Sequence, residues 1–151
     1  MPLIEYVEDR MESEELLERL CPPVRNWFKD KFPDFTEPQK VAIPRILNGE
    51  HLLLCSPTGS GKTLTAFLTI IDDLVRRSLD GSLPDAVQCV YISPIKALAN
   101  DIEKNLMGPL GEIKERYLPS RAKEIKVGLR TGDTPQSERE KMLRKPPHIL
   151  I

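Results

Sequence analysis

The segment Ser56-Pro-Thr-Gly-Ser-Gly-Lys-Thr63 restricts the possible folds of this chain more than any other feature. It follows a short apolar run at 51–55 and opens a strongly amphipathic stretch, which is the strand–glycine loop–helix context of a phosphate-binding loop. In such a loop, backbone N–H groups point at phosphate oxygens and the following helix adds its positive N-terminal end. Gly59 and Gly61 permit the dihedral angles that this requires. A chance glycine–serine turn is the alternative, but the intact Gly-Lys-Thr and its flanking elements favour a phosphate site.

The loop residues have distinct predicted roles. Lys62 would reach the β- and γ-phosphates of ATP, and the Thr63 hydroxyl would ligate Mg²⁺. These two residues are the candidates for the catalytic step. The set predicted to bind the cofactor ATP in this loop is Thr58, Gly59, Ser60, Gly61, Lys62 and Thr63.

The composition is that of one globular domain. The chain has 151 residues, of which 40% are apolar and 30% charged. It contains no apolar run of about eighteen residues, so the sequence predicts no membrane span. The first residues lack the basic and apolar regions of a signal peptide, and we therefore expect a cytoplasmic protein.

The three cysteines, Cys21, Cys55 and Cys89, do not have the spacing of metal ligands, and their number is odd. They therefore predict neither a disulfide framework nor a zinc site. Cys55 and Cys89 fall in predicted buried strands, where we expect them to pack as small apolar residues.

Charge is unevenly distributed, although the formal net charge is only −1. Residues 1–20 carry seven acidic and two basic side chains, whereas residues 112–145 carry ten basic and six acidic side chains. The basic stretch could form part of a surface that faces a polyanion. A solvated helical face explains the charge equally well, so this pattern alone does not indicate nucleic acid.

The apolar periodicity predicts helices that alternate with short strands. The first three predicted helices are a short one N-capped by Ser13, one at 24–32 and one from Thr36 to Asn48. The next two lie at 61–79 and 95–106, and the second of these is broken at Gly108-Pro109 and resumes to Tyr117. The last is capped by Thr134 and runs to Lys145. The predicted strands are 51–56, 86–93, 126–129 and 148–151. Such alternation implies an α/β fold in which helices flank a parallel sheet.

Three polar motifs directly follow predicted strands, namely Ser56–Thr63, Ser93–Lys96 and Arg130–Thr134. The carboxyl ends of parallel strands meet at one edge of a sheet, and ligands of such sheets bind there. We therefore expect the three motifs to converge on one edge.

The last predicted strand reaches Ile151 without a following turn, so we expect a chain truncated in mid-domain.

Nucleotide hydrolysis requires an acidic residue on a strand to hold Mg²⁺. Ile70-Ile-Asp-Asp73 has the composition of such a motif but lies inside the predicted helix 61–79, which points its carboxylates away from the nucleotide. The chain alone is therefore expected to bind ATP but to hydrolyse it poorly or not at all.

Taken in order, these motifs resemble those of superfamily 2 helicases. Ser56–Thr63 is similar to motif I, in which serine at the first position is more typical of helicases than of small-molecule kinases. Residues 93–101 resemble motif Ia, and Arg130–Thr134 resembles motif Ib. Together with Arg144-Lys-Pro-Pro-His-Ile-Leu150, over roughly 20–151, they resemble the large helicase-related (Lhr) family of ATP-dependent DNA helicases.

The resemblance implies a domain organisation and an activity. Residues 1–35 would be an N-terminal helical extension, and 36–151 would be part of a first RecA-like ATP-binding domain of the P-loop NTPase fold. A second RecA-like domain is expected beyond Ile151. The implied activity is that of an ATP-dependent DNA helicase or translocase in DNA repair or recombination, with single-stranded or forked DNA as its partner.

The resemblance also assigns site residues. Thr36-Glu-Pro-Gln39 is similar to the Q motif, in which the Gln39 amide would read adenine; the same pattern is a helix capping box, and both roles are compatible. The residues implied to contact the nucleic-acid backbone are Pro94, Lys96, Arg130, Thr131 and Gly132. Such contacts position a nucleic acid without reading its sequence, and they weaken as salt rises.

Adenine stacking is less well defined, because DEAD-box helicases have an aromatic residue seventeen positions before the glutamine, where this chain has Pro22. Any stacking would fall to an aromatic residue that could equally belong to the core: Trp27, Phe28, Phe32 or Phe35.

Three alternative functions remain open. They are an RNA helicase of the DEAD-box or Ski2-like type, a small-molecule P-loop kinase, and a non-catalytic nucleotide- or nucleic-acid-binding module.

Overall fold

The structure is a computed structural model and describes residues 5–94 and 102–151. Its α-helices are α1 (Ser13–Arg19), α2 (Pro22–Lys31), α3 (Glu37–Leu47), α4 (Lys62–Asp80), α5 (Gly108–Tyr117) and α6 (Gln136–Arg144). A π-helical turn at Glu103–Met107 leads into α5. The strands are β1 (Cys89–Val90), β2 (Val127–Gly128) and β3 (Ile149–Leu150). Within the described ranges, no helix is long and apolar enough to cross a membrane.

The three strands form one parallel sheet in the order β1-β3-β2, with Cys89 and Val127 on either side of Ile149. The ladder is shorter than the predicted strands, but hydrogen bonds continue it towards the carboxyl ends. Tyr91 N–H donates to the Leu150 carbonyl at 2.8 Å, and Arg130 N–H donates to the Ile151 carbonyl at 2.6 Å. Since β3 lies between strands that precede it in sequence, the connections cross over through helices. The predicted α/β fold with a parallel sheet flanked by helices is confirmed.

The predicted strand at 51–56 is wrong. This segment is irregular, and Leu53 is 81% exposed. A strand needs a neighbour for its N–H and C=O groups, and no described strand pairs with this segment. Cys55 is consequently exposed, which contradicts its expected place in the core. Cys89 lies in β1, half-buried and packed against the core, and Cys21 is fully buried.

The core is built around α4, whose apolar stripe faces the other helices. Its buried apolar side chains are Leu64, Phe67, Leu68, Ile71, Leu74 and Val75. Each fully buried side chain of this size contributes roughly 1.5–3 kcal/mol relative to exposure. Two glycines in the left-handed conformation delimit the helix, Gly61 before it and Gly81 after it. The observed helix agrees with the predicted 61–79 to within one residue.

Helices α1 and α2 share this core. Leu16, Val24 and Phe28 are buried with the α4 residues, and the Phe28 and Phe35 rings stack with centroids 4.0 Å apart. Trp27 Nε1 donates a hydrogen bond to a Glu112 carboxylate oxygen at 2.7 Å, which fastens α2 to α5. The N-terminal helices therefore pack on both the α4 and the α5 side of the molecule.

Two predicted N-caps are each misplaced by one residue. Glu12, rather than Ser13, is the N-cap of α1, and Ser13 donates its hydroxyl to Asp34 instead. Pro135, rather than Thr134, precedes α6. In both cases the polar side chain makes a different hydrogen bond. The Thr134 hydroxyl accepts the Thr131 N–H at 2.7 Å.

Candidate functional site

The glycine loop has the backbone that its sequence predicts. Gly59 and Gly61 have φ angles of 80° and 86°, which favour glycine. A Cβ atom at Gly61 would lie 2.7 Å from Gln39 Nε2, whereas one at Gly59 would meet no atom within 4 Å. Gly61 is the N-cap of α4. The first amides of α4, which have no partner inside the helix, therefore open onto the loop.

Lys62 and Thr63 begin α4. The Lys62 ammonium donates hydrogen bonds to the carbonyls of Ser56 and Pro57, at 2.5 and 2.7 Å, so its charge lies inside the curve of the loop. The Thr63 hydroxyl makes no hydrogen bond to any described residue. One neutral oxygen ligand is what the protein would offer a Mg²⁺ ion that is bound mainly through phosphates and water.

The predicted capping box is present at the start of α3. Gln39 Oε1 accepts the Thr36 N–H at 2.9 Å, and the Gln39 side chain is buried beside Gly61. The Thr36 hydroxyl donates to the Ser60 carbonyl at 2.9 Å. The Q-motif residues are therefore in direct contact with the glycine loop.

The aromatic candidates for adenine stacking divide into two groups. Trp27, Phe28 and Phe35 are at most 4% exposed and belong to the core. Phe32 is 36% exposed, with its ring edge against Trp27. Of the four, Phe32 alone presents an accessible ring.

At the carboxyl ends of the strands, two of the three predicted motifs meet. A cavity of about 220 Å³ is lined by Ser93, Arg130 and Thr131 together with apolar strand residues. Tyr91 lines this cavity and also the cavity of about 460 Å³ that contains Lys62 and Thr63. Pro94 is exposed beside this edge, whereas Lys96 lies outside the described residues. Tyr91 thus lies between the glycine loop and the Arg130 end of the sheet.

The loop at 130–134 turns most of its amides inward. Thr131 N–H donates to the Thr134 hydroxyl, and Asp133 N–H donates to the Thr131 hydroxyl at 3.2 Å. The Arg130 side chain and the Gly132 N–H, by contrast, have no partner among the described residues, and both residues are exposed. A guanidinium and a main-chain N–H that bond to no described residue are both groups that can bind a phosphate oxygen.

Arg139 holds this loop from α6. Its guanidinium donates to the carbonyls of Thr131 at 3.2 Å, Gly132 at 2.9 Å and Thr134 at 2.9 Å. Sequence reasoning did not identify Arg139, because an arginine on an exposed basic helix gives no signal of a main-chain contact. Only the fold of the loop over the first turn of α6 shows it.

The acidic pair inside α4 has a structural role. Asp72 is 1% exposed; it accepts the Cys21 N–H at 2.6 Å and pairs with Arg76 at 2.7 Å. Asp73 pairs with Arg77 at 3.0 Å on the helix surface. Asp72 is ten residues from Lys62, or about 15 Å along the helix. Both carboxylates thus lie away from the glycine loop, as predicted.

Burial shifts the pKa of two buried groups, Cys21 and His148. Burial raises the pKa of the Cys21 thiol to about 12, with a further contribution from Asp72. The His148 imidazole is fully buried; its Nδ1 accepts the Lys126 N–H at 2.9 Å, and its Nε2 has no partner among the described residues. Burial, followed by the nearby Lys123 and Lys126, lowers its pKa. Both groups lie outside the candidate site and bear on stability.

Sequence comparison matches this chain to known helicases, which agrees with the geometry of the site. The profile of the DEAD/DEAH box helicase family matches residues 36–151. The chain is 47% identical to the ATP-dependent helicase Lhr-Core of Methanocaldococcus jannaschii and 52% identical to that of Methanothermobacter thermautotrophicus, with 100% and 99% of this chain covered. It is 41% identical, over 86% of its length, to the Lhr helicase/uracil glycosylase of Escherichia coli.

A solved structure is also similar. The Mycobacterium smegmatis helicase Lhr bound to ssDNA and AMP-PNP matches 90% of this chain with a TM-score of 0.74 and 42% identity. The chain spans 18% and 17% of the two Lhr-Core relatives and 17% of the solved chain. The predicted resemblance to Lhr helicases is thereby confirmed, and the chain belongs to the DEAD/DEAH box helicase family.

Proposed function

We propose that this chain is the nucleotide-binding and DNA-contacting part of an ATP-dependent DNA helicase or translocase. The observation that carries the proposal is the placement of the glycine loop and the Arg130 guanidinium, which bonds to no described residue, near one sheet edge with Tyr91 between them. The names of the Lhr relatives support the activity. The ssDNA and AMP-PNP in the M. smegmatis structure support the two ligands.

In this proposal the glycine loop binds ATP with Mg²⁺. Lys62 exchanges the Ser56 and Pro57 carbonyls for phosphate oxygens, and the Thr63 hydroxyl becomes a Mg²⁺ ligand. Gln39, which already contacts the loop, reads the adenine edge. The bound Mg²⁺ supplies charge neutralisation for the phosphates.

The second half of the proposal concerns DNA. Pro94, Lys96, Arg130, Thr131 and Gly132 hold the phosphate backbone of one strand, without reading bases. A second RecA-like domain, elsewhere in the complete protein, closes over the nucleotide and reopens after hydrolysis. Because the protein alternately binds and releases the DNA strand during this cycle, the cycle moves the protein along the strand. The E. coli relative's name pairs a helicase with a uracil glycosylase, which supports a role in DNA repair.

The test compares DNA with RNA. ATP turnover and strand displacement by the complete protein are measured with single-stranded DNA and RNA of the same sequence, for wild type, Lys62→Ala and Arg130→Ala. We expect stronger stimulation by DNA, loss of turnover in Lys62→Ala, and weaker DNA binding in Arg130→Ala. Stronger stimulation by RNA would instead favour the RNA-helicase alternative. Phosphate transfer to a small molecule without nucleic-acid binding would favour the kinase.

A further inference from the structure

We propose that Arg139 is a positioning residue that holds the loop at 130–134 in the shape that binds a DNA phosphate. This inference rests on the proposed function, because it concerns the same DNA contact. Arg139 would act through the loop rather than touch the DNA. The side chain belongs to the first turn of α6, which directly follows the loop.

The geometry shows how one side chain can fix the loop. The Arg139 Nε donates to the Thr134 carbonyl, and its terminal nitrogen donates to the carbonyls of Thr131 and Gly132. Three carbonyl oxygens are therefore turned towards α6. The Thr131 carbonyl also accepts the Thr134 N–H at 3.3 Å, so among the described residues the guanidinium alone holds the carbonyls of Gly132 and Thr134. Without it these two would be free to turn towards the strand edge, where their negative dipole ends would oppose a phosphate.

The consequence for DNA binding follows from the planarity of the peptide bond. The Thr131 carbonyl and the Gly132 N–H belong to one trans peptide, so they point in opposite directions. Arg139 and the Thr134 N–H both bond the Thr131 carbonyl, and the Arg139 bond directs the Gly132 N–H away from α6. That amide is left without an internal partner in the described structure, and it lies two residues from the free Arg130 guanidinium.

The chemistry of arginine suits this task. Its planar fork carries five N–H donors at fixed angles, whereas lysine presents one compact ammonium. Arg139 also has no carboxylate partner among the described ion pairs, so carbonyls alone satisfy it. A lysine at this position would offer its three donors from a single nitrogen, whereas Arg139 reaches the Thr134 carbonyl from Nε and the Thr131 carbonyl from a terminal nitrogen.

The test uses the complete protein and measures ssDNA affinity as a function of salt. The variants are Arg139→Ala, Arg139→Lys and Arg130→Ala, with Arg144→Ala as the control that removes the same charge from α6 without a described contact to the loop. We expect Arg139→Ala to weaken ssDNA binding about tenfold, because losing hydrogen bonds to a charged group that shape the loop has an effect of this order, and Arg139→Lys to recover part of it. The DNA-free ATP turnover and the unfolding temperature should stay near those of wild type.

The salt dependence separates positioning from direct contact. A residue that neutralises one phosphate changes the slope of log Kd against log salt by about 0.7 for single strands. We expect that change for Arg130→Ala and an unchanged slope for Arg139→Ala. The inference is overturned by a reduced slope in Arg139→Ala, by an equal effect of Arg144→Ala, by wild-type affinity, or by a parallel loss of fold stability. Absence of ssDNA binding by wild type would overturn the proposed function itself, and the Arg139 assignment with it.

Discussion

The Thr36 hydroxyl donates a hydrogen bond to the main-chain carbonyl of Ser60, over 2.9 Å. Thr36 precedes α3 and caps it together with Gln39, whereas Ser60 lies in the glycine loop. Gln39 Nε2 also lies against Gly61. The residues proposed to read adenine and those proposed to hold phosphates are therefore joined within the protein.

The first prediction concerns this contact between Thr36 and the glycine loop. Thr36→Val removes the hydroxyl, and with it the side-chain half of the α3 capping box and the bond to Ser60, whereas the Thr36 N–H can still donate to Gln39. We expect a loss of about 1 kcal/mol in unfolding free energy, as for other N-caps, together with a raised KM for ATP. Thr36→Ser keeps the hydroxyl and is the control. Urea unfolding and ATP turnover of the complete protein measure the two effects. Equal KM values for the Val and Ser variants would show that the contact between Thr36 and the glycine loop is irrelevant to nucleotide binding.

The second prediction compares two glycines with nearly the same φ angle. Both Gly59→Ala and Gly61→Ala strain the backbone, at a cost of about 1–2 kcal/mol for the left-handed conformation. Only the alanine at Gly61 also collides with Gln39, so this variant should lose much more ATP affinity. Binding of a fluorescent ATP analogue measures the difference. If the two variants bound the analogue equally, the close packing of Gln39 on the loop would be refuted.

The third prediction separates the two acids of α4. Asp72→Ala leaves the Cys21 N–H and Arg76 without their shared acceptor, and we expect a loss of about 2–3 kcal/mol in unfolding free energy. Asp73→Ala breaks an exposed ion pair and should cost less than about 0.5 kcal/mol. Chemical denaturation measures both. A selective loss of ATP turnover in Asp73→Ala, with stability unchanged, would contradict the structural role assigned to this pair.

The fourth prediction concerns pH. Burial holds the pKa of His148 below its ordinary value near 6.5, so below that pH the unfolded chain binds a proton more readily than the folded one. The stabilising effect of a neutral His148 is complete above pH 6.5 and declines as the pH falls below it. Lys123, Lys126 and Asp85 are the charged groups around it, and the net effect of the two lysines opposes protonation.

The corresponding measurement is the unfolding free energy between pH 8 and 5.5. We expect a decline in wild type that is shallower in His148→Gln, because that variant cannot take up the proton. The matched control is His51→Gln, at an exposed histidine. If wild type and His148→Gln lost stability in parallel as the pH fell, His148 would not be the responsible group.

Features set by local sequence were predictable. The α4 helix follows from its apolar period and its two flanking glycines, and the capping box follows from Thr36 and Gln39. The parallel sheet was inferred from the alternation of elements. These patterns act over a few residues, so a single sequence is enough to identify them.

Features that depend on distant partners were not predictable. The segment at 51–56 has the composition of a strand, but strand formation depends on a neighbouring strand that the described structure does not provide. Cys55 is exposed for the same reason. Arg139 had the sequence context of an ordinary helix-surface charge, and for Asp72 the sequence indicated only that it points away from the nucleotide. Their main-chain contacts arise only when the loop at 130–134 and the start of α2 fold against them.

The central claim is that ATP turnover at the glycine loop depends on a DNA strand at the adjacent sheet edge. The most direct measurement is the ATP turnover rate of the complete protein as ssDNA is titrated, at low and high salt, with Lys62→Ala as the inactive control. We expect a saturable rise in turnover that needs more ssDNA at high salt and is absent in Lys62→Ala. Turnover that is independent of ssDNA, or that persists in Lys62→Ala, would contradict it.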